Sequence, residues 1–246
     1  MITDLSIDFY IFLSLIAFLY ASIGHGGASG YLALMALYNF QPSVMRPTAL
    51  LLNIAVALVS FLSFYNKVKI DNKLFLALIS TSIPLAFVGG HINLDTSIYR
   101  PLLGIILIIP IIRLITIQKN GVESDLKEPN LYLAALIGAV IGFISGIIGI
   151  GGGILLSPIL LWLRWSQIKQ TAIISALFIF VNSIAGLYGN KGMMLCTDVN
   201  FIKICLVAIV SGIIGARLGA TRFNTLTLRY ILAVVLLVAS FKLIFT

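Results

Sequence analysis

Charge is what this chain has least of. Of 246 residues only 10% are charged, 16 of them Lys or Arg and 8 Asp or Glu, while 60% are hydrophobic; the mean hydropathy is +1.12. A soluble domain is roughly 45–50% apolar and about 25% charged, so an ordinary water-facing shell cannot be assembled from this sequence. Acids are scarcest. All eight (Asp4, Asp8, Asp71, Asp95, Glu123, Asp125, Glu128 and Asp198) lie outside the long apolar runs or near their ends, which leaves no carboxylate at mid-membrane for a proton or cation relay. The two cysteines, Cys196 and Cys205, have neither metal nor redox spacing; they give no support to a disulfide framework and read as packing thiols. There is no phosphate-binding loop of the form G-x-x-x-x-G-K-[ST], no zinc-protease motif and no nucleophile elbow. An enzyme is therefore not expected, no cofactor or metal is implied, and direct ATP drive would need a separate subunit.

What the chain does have is long apolar runs. Phe9 to Tyr38 carries one His and no charged side chain, Leu74 to Ile98 has only His91 and Asp95, and Leu131 to Leu163 has no ionisable group of either sign. About 20 apolar residues of α-helix span the ~30 Å bilayer core, so each run reaches across or deep into a membrane. The net charge of +8 does not point to nucleic acid, because the Lys and Arg sit at the ends of the runs, where they anchor segments and set topology. The N-terminal Met-Ile-Thr-Asp-Leu-Ser-Ile-Asp has acids where a secretory signal has a basic region, and is expected to remain in the mature protein. The partners expected are the lipid bilayer and a small solute, with a homo-oligomer left open.

The sequence also repeats itself, in order. Residues 24–30 read GHGGASG and residues 149–153 read GIGGG, each after an apolar run. Downstream, Thr48-Ala49 answers Thr171-Ala172, Ser60 answers Ser183 and Tyr65 answers Tyr188; near the ends of the halves Arg100 answers Arg229 and Arg113 answers Lys242. Between the halves lies QKNGVESDLKEPN, the most polar stretch of the chain. The organisation expected is a first transmembrane repeat over 1–117, a cytoplasmic linker over 118–130 and a second transmembrane repeat over 131–246. The fold class is all-α integral membrane. Each repeat is a glycine-interrupted run followed by three continuous helices.

The orientation of the halves depends on that first run. A run that folds back at its glycines as a hairpin gives three net crossings per half and two inverted repeats. The alternative is eight plain spans in two parallel repeats. The hairpin arrangement places eleven of the 16 basic residues on one side, with Arg46, Arg100, Lys191, Lys203 and Lys242 opposite. A single crossing divides them more evenly. The positive-inside bias favours the hairpin and puts the linker in the cytoplasm.

Glycine inside a helix costs roughly 1 kcal/mol per residue relative to Ala, so two matched glycine clusters need a reason. In a membrane, broken helix is tolerated where the freed backbone faces protein or a wet cavity. The half-helix that follows the break presents its N–H groups and about half a positive charge, which suits an anion. Paired breaks in matching places of two repeats point to a transporter site; the bland reading is close packing through small residues. The candidate substrate-binding residues are therefore Gly26, Gly27 and Ser29 in the first break, Gly151, Gly152 and Gly153 in the second, and Thr48 and Thr171 on the helix after each. His25 is the titratable side chain near the centre of a hairpin. It is either a coupling or substrate contact, or a neutral His donating to a carbonyl. Arg46 and Lys169 stand at matched hairpin exits, where they would steer anions.

The string GIGGGILLSP at 149–158, preceded by ISGIIG and followed by TAIISALFIFVNSIAG, resembles the signature of the sulfite exporter TauE/SafE family. The first-half string GHGGASGYLALMAL, followed by PTALLLNIAVALVSF, resembles its N-terminal counterpart, with Ala28-Ser29 in place of Gly153-Ile154 and Ala33 in place of Pro158. The resemblance covers nearly the whole chain. It implies a multi-pass secondary transporter in the bacterial inner membrane that moves a small sulfur-containing anion of the sulfite, thiosulfate or sulfonate type. The residues alone reach only a transporter with two anion-friendly helix breaks. They leave open an anion channel or a carrier of another small organic anion.

Overall fold

The computed structural model describes residues 5–22, 26–64, 70–116, 126–190, 199–222 and 225–245. Among them, ten helices follow one another: α1 (Ile7–Ser22), α2 (Ala28–Leu37), α3 (Pro42–Phe64), α4 (Asn72–His91), α5 (Thr96–Thr116), α6 (Leu131–Ile148), α7 (Gly153–Trp162), α8 (Ile168–Gly189), α9 (Val199–Arg222) and α10 (Thr225–Phe245). Helix is the form that satisfies backbone N–H and C=O groups without water, and the apolar runs supply little else for them to bond to. Four of the helices, α3, α4, α6 and α8, are long and apolar enough to cross a membrane.

Both glycine-interrupted runs fold back. At the first, the Phe9 ring near the start of α1 lies 5.2 Å from Tyr38 and 5.5 Å from Phe40 just beyond the end of α2. Sixteen helical residues rise about 24 Å at 1.5 Å each, so those rings can meet only if α2 returns along α1. At the second, the Lys127 N–H donates to the Arg164 carbonyl at 2.9 Å, tying the approach to α6 to the exit from α7. Each run is thus two helices, the second returning along the first, and not one straight helix.

The five helices of each half match in order and closely in length: 16, 10, 23, 20 and 21 residues, then 18, 10, 22, 24 and 21. Their pairings also exchange. Helix α4 packs on α6 as α9 packs on α1, while α3 packs on α8 and α5 on α10. Of the four long spans, α3 and α8 are the most buried. They form the centre against which both hairpins lie. Apolar side chains such as Leu76, Leu136, Val140, Val210, Val234 and Phe241 point outward, which is the surface a lipid environment requires. Exposed Tyr132 at the start of α6 and Trp162 at the end of α7 lie at one end of the hairpin, where amphipathic rings suit a membrane interface.

Polar residues begin the helices that start in polar segments. The Asp71 carboxylate accepts from the N–H groups of Lys73 and Leu74 at 2.9 and 3.1 Å, and the Asn130 side chain accepts from Tyr132 and Leu133 at 3.1 Å. Gln170 accepts from the Gln167 N–H at 3.0 Å. These are the side-chain caps that satisfy a helix's first N–H groups. The short return helices α2 and α7 have none.

Candidate functional site

Helices α2 and α7 begin in the same way. Gly27 precedes α2 with φ 88° and Gly152 precedes α7 with φ 78°, both left-handed and neither offering a side-chain cap. Both helices run for ten residues, and just beyond their ends Asn39 and Arg164 each adopt φ 59°. A left-handed residue before the first turn is cheap only for glycine. It bends the chain sharply enough for the new helix to start inside the protein. With no side-chain cap, the first N–H groups of each return helix are left to whatever lies in front of them.

In front of the first break is a narrow crevice with room for about one water molecule, which the second hairpin reaches through Ile150 and through Ile154 in the first turn of α7. Gly26, Gly27, Ala28 and Ser29 form one wall, with Tyr20 behind them. Asn53 of α3 closes a second side, and Ile150, Ile154 and Ile179 supply an apolar third. Asn53 stands between the two breaks. A Cβ on Gly26 would lie 2.8 Å from its Oδ1, and a Cβ on Gly151 would lie 2.6 Å from its Nδ2. Ile179 of α8 touches both places as well, at 3.1 and 3.0 Å. The two glycine clusters, far apart in sequence, thus share neighbours on the two central helices.

Several polar atoms here are fully buried and lack partners among the described residues. The Asn53 amide donates through Nδ2 to the Ile150 carbonyl at 3.2 Å, while its Oδ1 accepts nothing. Ser183 Oγ, 2.7 Å from where a Gly151 Cβ would stand, is likewise unpartnered, as is the Tyr31 hydroxyl beside Gly27. Ser29 is occupied: its hydroxyl pairs with Tyr20 Oη at 2.7 Å. Unsatisfied buried groups are uncommon and need a reason. A cluster of them at two uncapped helix starts has the character of a polar binding site.

The structure sorts the residues expected from the sequence. Gly26, Gly27 and Ser29 line the crevice, and Gly151 abuts Asn53 and Ser183. Gly152 and Gly153 bring α7 close to its neighbours: a Cβ on Gly152 would meet Ile141 and Phe178 at 2.8 and 2.9 Å, and one on Gly153 would meet Ile179 and the Ser175 carbonyl. Thr171 is hydrogen-bonded to Ser166 at 2.6 Å, and Thr48 is buried with an unpartnered hydroxyl; neither lines the crevice. His25 falls outside the described residues. Arg46 is not at a solvent-facing mouth. It is 3% exposed, and its guanidinium donates to the carbonyls of Ile92, Gly90 and Gly146 at 2.8, 3.1 and 3.0 Å. It acts as a cation on the C-terminal ends of α4 and α6, where the helix dipoles favour positive charge. Lys169 is exposed at the start of α8.

Asn53, Ser183, Tyr31 and the isoleucines were not singled out as site residues by the sequence. Asn53 and Ser183 are among several hydroxyl and amide residues on their helices. Tyr31 and the isoleucines read like core. The one available signal, an amide in an apolar run, does not say which neighbour it faces.

The family profile described as "Sulfite exporter TauE/SafE" matches residues 9–243. A protein of Sinorhizobium fredii named "Probable membrane transporter protein y4hK" is 35% identical over 98% of this chain and 97% of its own length. Bacillus subtilis has "Probable membrane transporter protein YjnA", 30% identical over 90% of this chain and 92% of its own. Its "Probable membrane transporter protein YunE" is 27% identical over 84% and 82%. No solved structure matches the chain significantly.

Proposed function

Because the chain belongs to the sulfite exporter TauE/SafE family and is a membrane transporter, we propose that it is a secondary carrier of a small sulfur-containing anion. Sulfite, thiosulfate and sulfonates are the substrates considered, and the bacterial inner membrane is the site of action. The observation that carries this reading is the crevice at Asn53. Two half-helix N-termini without side-chain caps stand beside it with unpartnered polar atoms. Backbone N–H groups at a helix start are an anion site by construction. Two together supply about one unit of fixed positive partial charge, enough to attract an anion and weak enough to release it. The sulfur chemistry comes from the family description alone.

The proposed cycle uses the two halves as inverted repeats. A hairpin that returns to the side it left contributes no net crossing, so each half crosses three times. An odd number turns the second half over relative to the first. The exchange of helix pairings between halves and the gathering of eleven of 16 basic residues on the linker side support this. The crevice has room for about one water molecule, so an anion fits it only when one hairpin moves from α3 and α8. Alternation of the two hairpins would expose it to each side in turn.

The test is flux of labelled sulfite in vesicles holding the purified protein. A carrier saturates and shows counterflow, with unlabelled sulfite inside driving labelled sulfite in. Flux that rises linearly with concentration and shows no counterflow assigns a channel instead. No competition by any anion removes the anion reading.

A further inference from the structure

The crevice is matched to more than negative charge in general. Among the described residues no Lys or Arg lines it, so the positive charge they offer is that of two helix starts, about one unit in total. One negative charge on a ligand is compensated; a second would be buried without a partner, which a low-dielectric interior penalises heavily.

Asn53 adds a second condition. Its amide orientation follows from the bond of Nδ2 to the Ile150 carbonyl, since the reverse orientation would set two acceptors face to face. Oδ1 therefore points toward Gly26, 2.8 Å from where a Cβ would stand. The residue is 1% exposed, and Oδ1 has no donor among the described residues. A ligand made only of acceptors would bring lone pairs against that oxygen. One that carries an O–H or N–H would satisfy it, while its remaining oxygens take the N–H groups of α2 and α7.

Resting on the carrier reading above, we infer that the site selects small monoanions bearing a hydrogen-bond donor of their own. A singly protonated oxyanion such as hydrogensulfite belongs to this class. Sulfate, a dianion, and methanesulfonate, a monoanion without a donor, do not. Asn53 is then the specificity-determining residue and reads the ligand's proton.

Three probes separate the two conditions. Sulfamate and methanesulfonate have the same charge and nearly the same size, but one ends in NH2 and the other in CH3. Sulfate keeps the tetrahedral shape and adds a charge. Their dissociation constants for the purified full-length protein are measured at neutral pH by thermal shift and calorimetry. Sulfamate is expected to bind at least ~10-fold more tightly than methanesulfonate, the factor that follows from leaving one buried acceptor unmet. It should also bind more tightly than sulfate. In Asn53→Leu the preference for sulfamate over methanesulfonate should vanish while the discrimination against sulfate stays. Methanesulfonate or sulfate binding as tightly as sulfamate to the wild-type protein overturns the inference and leaves the anion carrier standing. Failure of all three and of sulfite to bind overturns the carrier reading and the inference with it. The wild-type comparison decides the matter even if Asn53→Leu does not fold.

Discussion

Helices α6 and α1 occupy matching places in their hairpins, yet they meet their neighbours differently. Along α6, Gly138, Gly142 and Gly146 face α4 so closely that a Cβ on each would run into the backbone of Leu78, Ser82 and Ala86 in turn. Along α1, Ser14 meets Ser211 of α9 hydroxyl to hydroxyl at 2.8 Å. Ser22 reaches the Gly215 carbonyl at 3.1 Å, and Gly215 sits on the backbone of Phe18. One interface is backbone against backbone over two turns. The other, among the described residues, has its closest approach at Gly215 and hydroxyl bonds at Ser14 and Ser22.

The ends differ in the same sense. Three of the last four carbonyls of α6 are taken: Ser145 by the Gly149 N–H at 2.7 Å, Gly146 by Arg46 and Ile148 by the Tyr99 hydroxyl at 2.8 Å. At the end of α2 the N–H groups of Tyr38, Phe40 and Asn39 take the carbonyls of Leu34, Met35 and Ala36, and the Lys242 ammonium donates to the Leu37 carbonyl at 2.8 Å. A planar guanidinium can hold several carbonyls at once, while an ammonium on a flexible stem is a point charge. Similar shapes are thus fixed by unequal means. This contrast predicts that the α4–α6 side is the stiffer anchor and that the α1–α9 side rearranges at lower cost.

The largest effect that would test this contrast is at Gly142. Its Cβ would lie 2.6 Å from Ser82 Cα, and backbone cannot step aside as a side chain can. Gly142→Leu should yield no monodisperse folded protein in detergent. Gly212→Ala on α9, where the nearest atom is a Val56 methyl at 3.4 Å, should leave the unfolding temperature within about 2 °C of wild type, as a change of under ~0.5 kcal/mol implies. Equal tolerance at both glycines would contradict the backbone-to-backbone packing of α6 on α4.

Next in size is the pair of cationic ends. Arg46→Met leaves the buried carbonyls of Gly90 and Gly146 and the part-buried one of Ile92 without their donor and should cost ~3 kcal/mol or more. Lys242→Met removes one part-buried bond and should cost ~1–2 kcal/mol. Thermal unfolding of the two variants side by side measures the ratio. A Lys242 effect as large as that of Arg46 would place the anchor on the wrong side.

A smaller effect on stability, but a clear one on transport, separates the two breaks. Gly151 has φ +70°, and its Cβ would stand 2.6 Å from Asn53 Nδ2 and 2.7 Å from Ser183 Oγ. Gly26 crowds the Asn53 side chain at 2.8 Å, a neighbour that can shift. Gly151→Ala combines a left-handed penalty of roughly 1–2 kcal/mol with loss of space at the site, and initial uptake should fall below a tenth. Gly26→Ala should keep a measurable fraction. The reverse order would move the more constrained break to the first hairpin.

Much of the fold was legible because bilayer physics restricts the choices. Runs such as Leu131 to Leu163 admit helix and little else, and Gly149 to Gly153 had to break it. The site was less legible. The break glycines were found by their clustering and by the match between GHGGASG and GIGGG. Thr48 and Thr171 were selected by their place in the repeat, but sequence position does not say which way a hydroxyl turns, and Thr171 turns to Ser166. Arg46 was read as a steering charge because it lies near a hairpin exit; nothing in the sequence shows that helix ends from both halves converge on it. Asn53 became distinctive only when α3 was set between the two breaks, a contact between residues nearly a hundred positions apart.

The central claim is that the two hairpins build one anion site between them. Equilibrium binding of labelled sulfite to the purified protein tests it directly, with stoichiometry as the readout. Gly27→Ala and Gly152→Ala each place a methyl at a left-handed helix start, one in each hairpin, and are compared with wild type as monodisperse preparations. The account predicts one sulfite per chain in the wild-type protein and loss of that binding in both variants. Two sulfites per chain, with each variant keeping one, would mean that the hairpins bind separately and would contradict it.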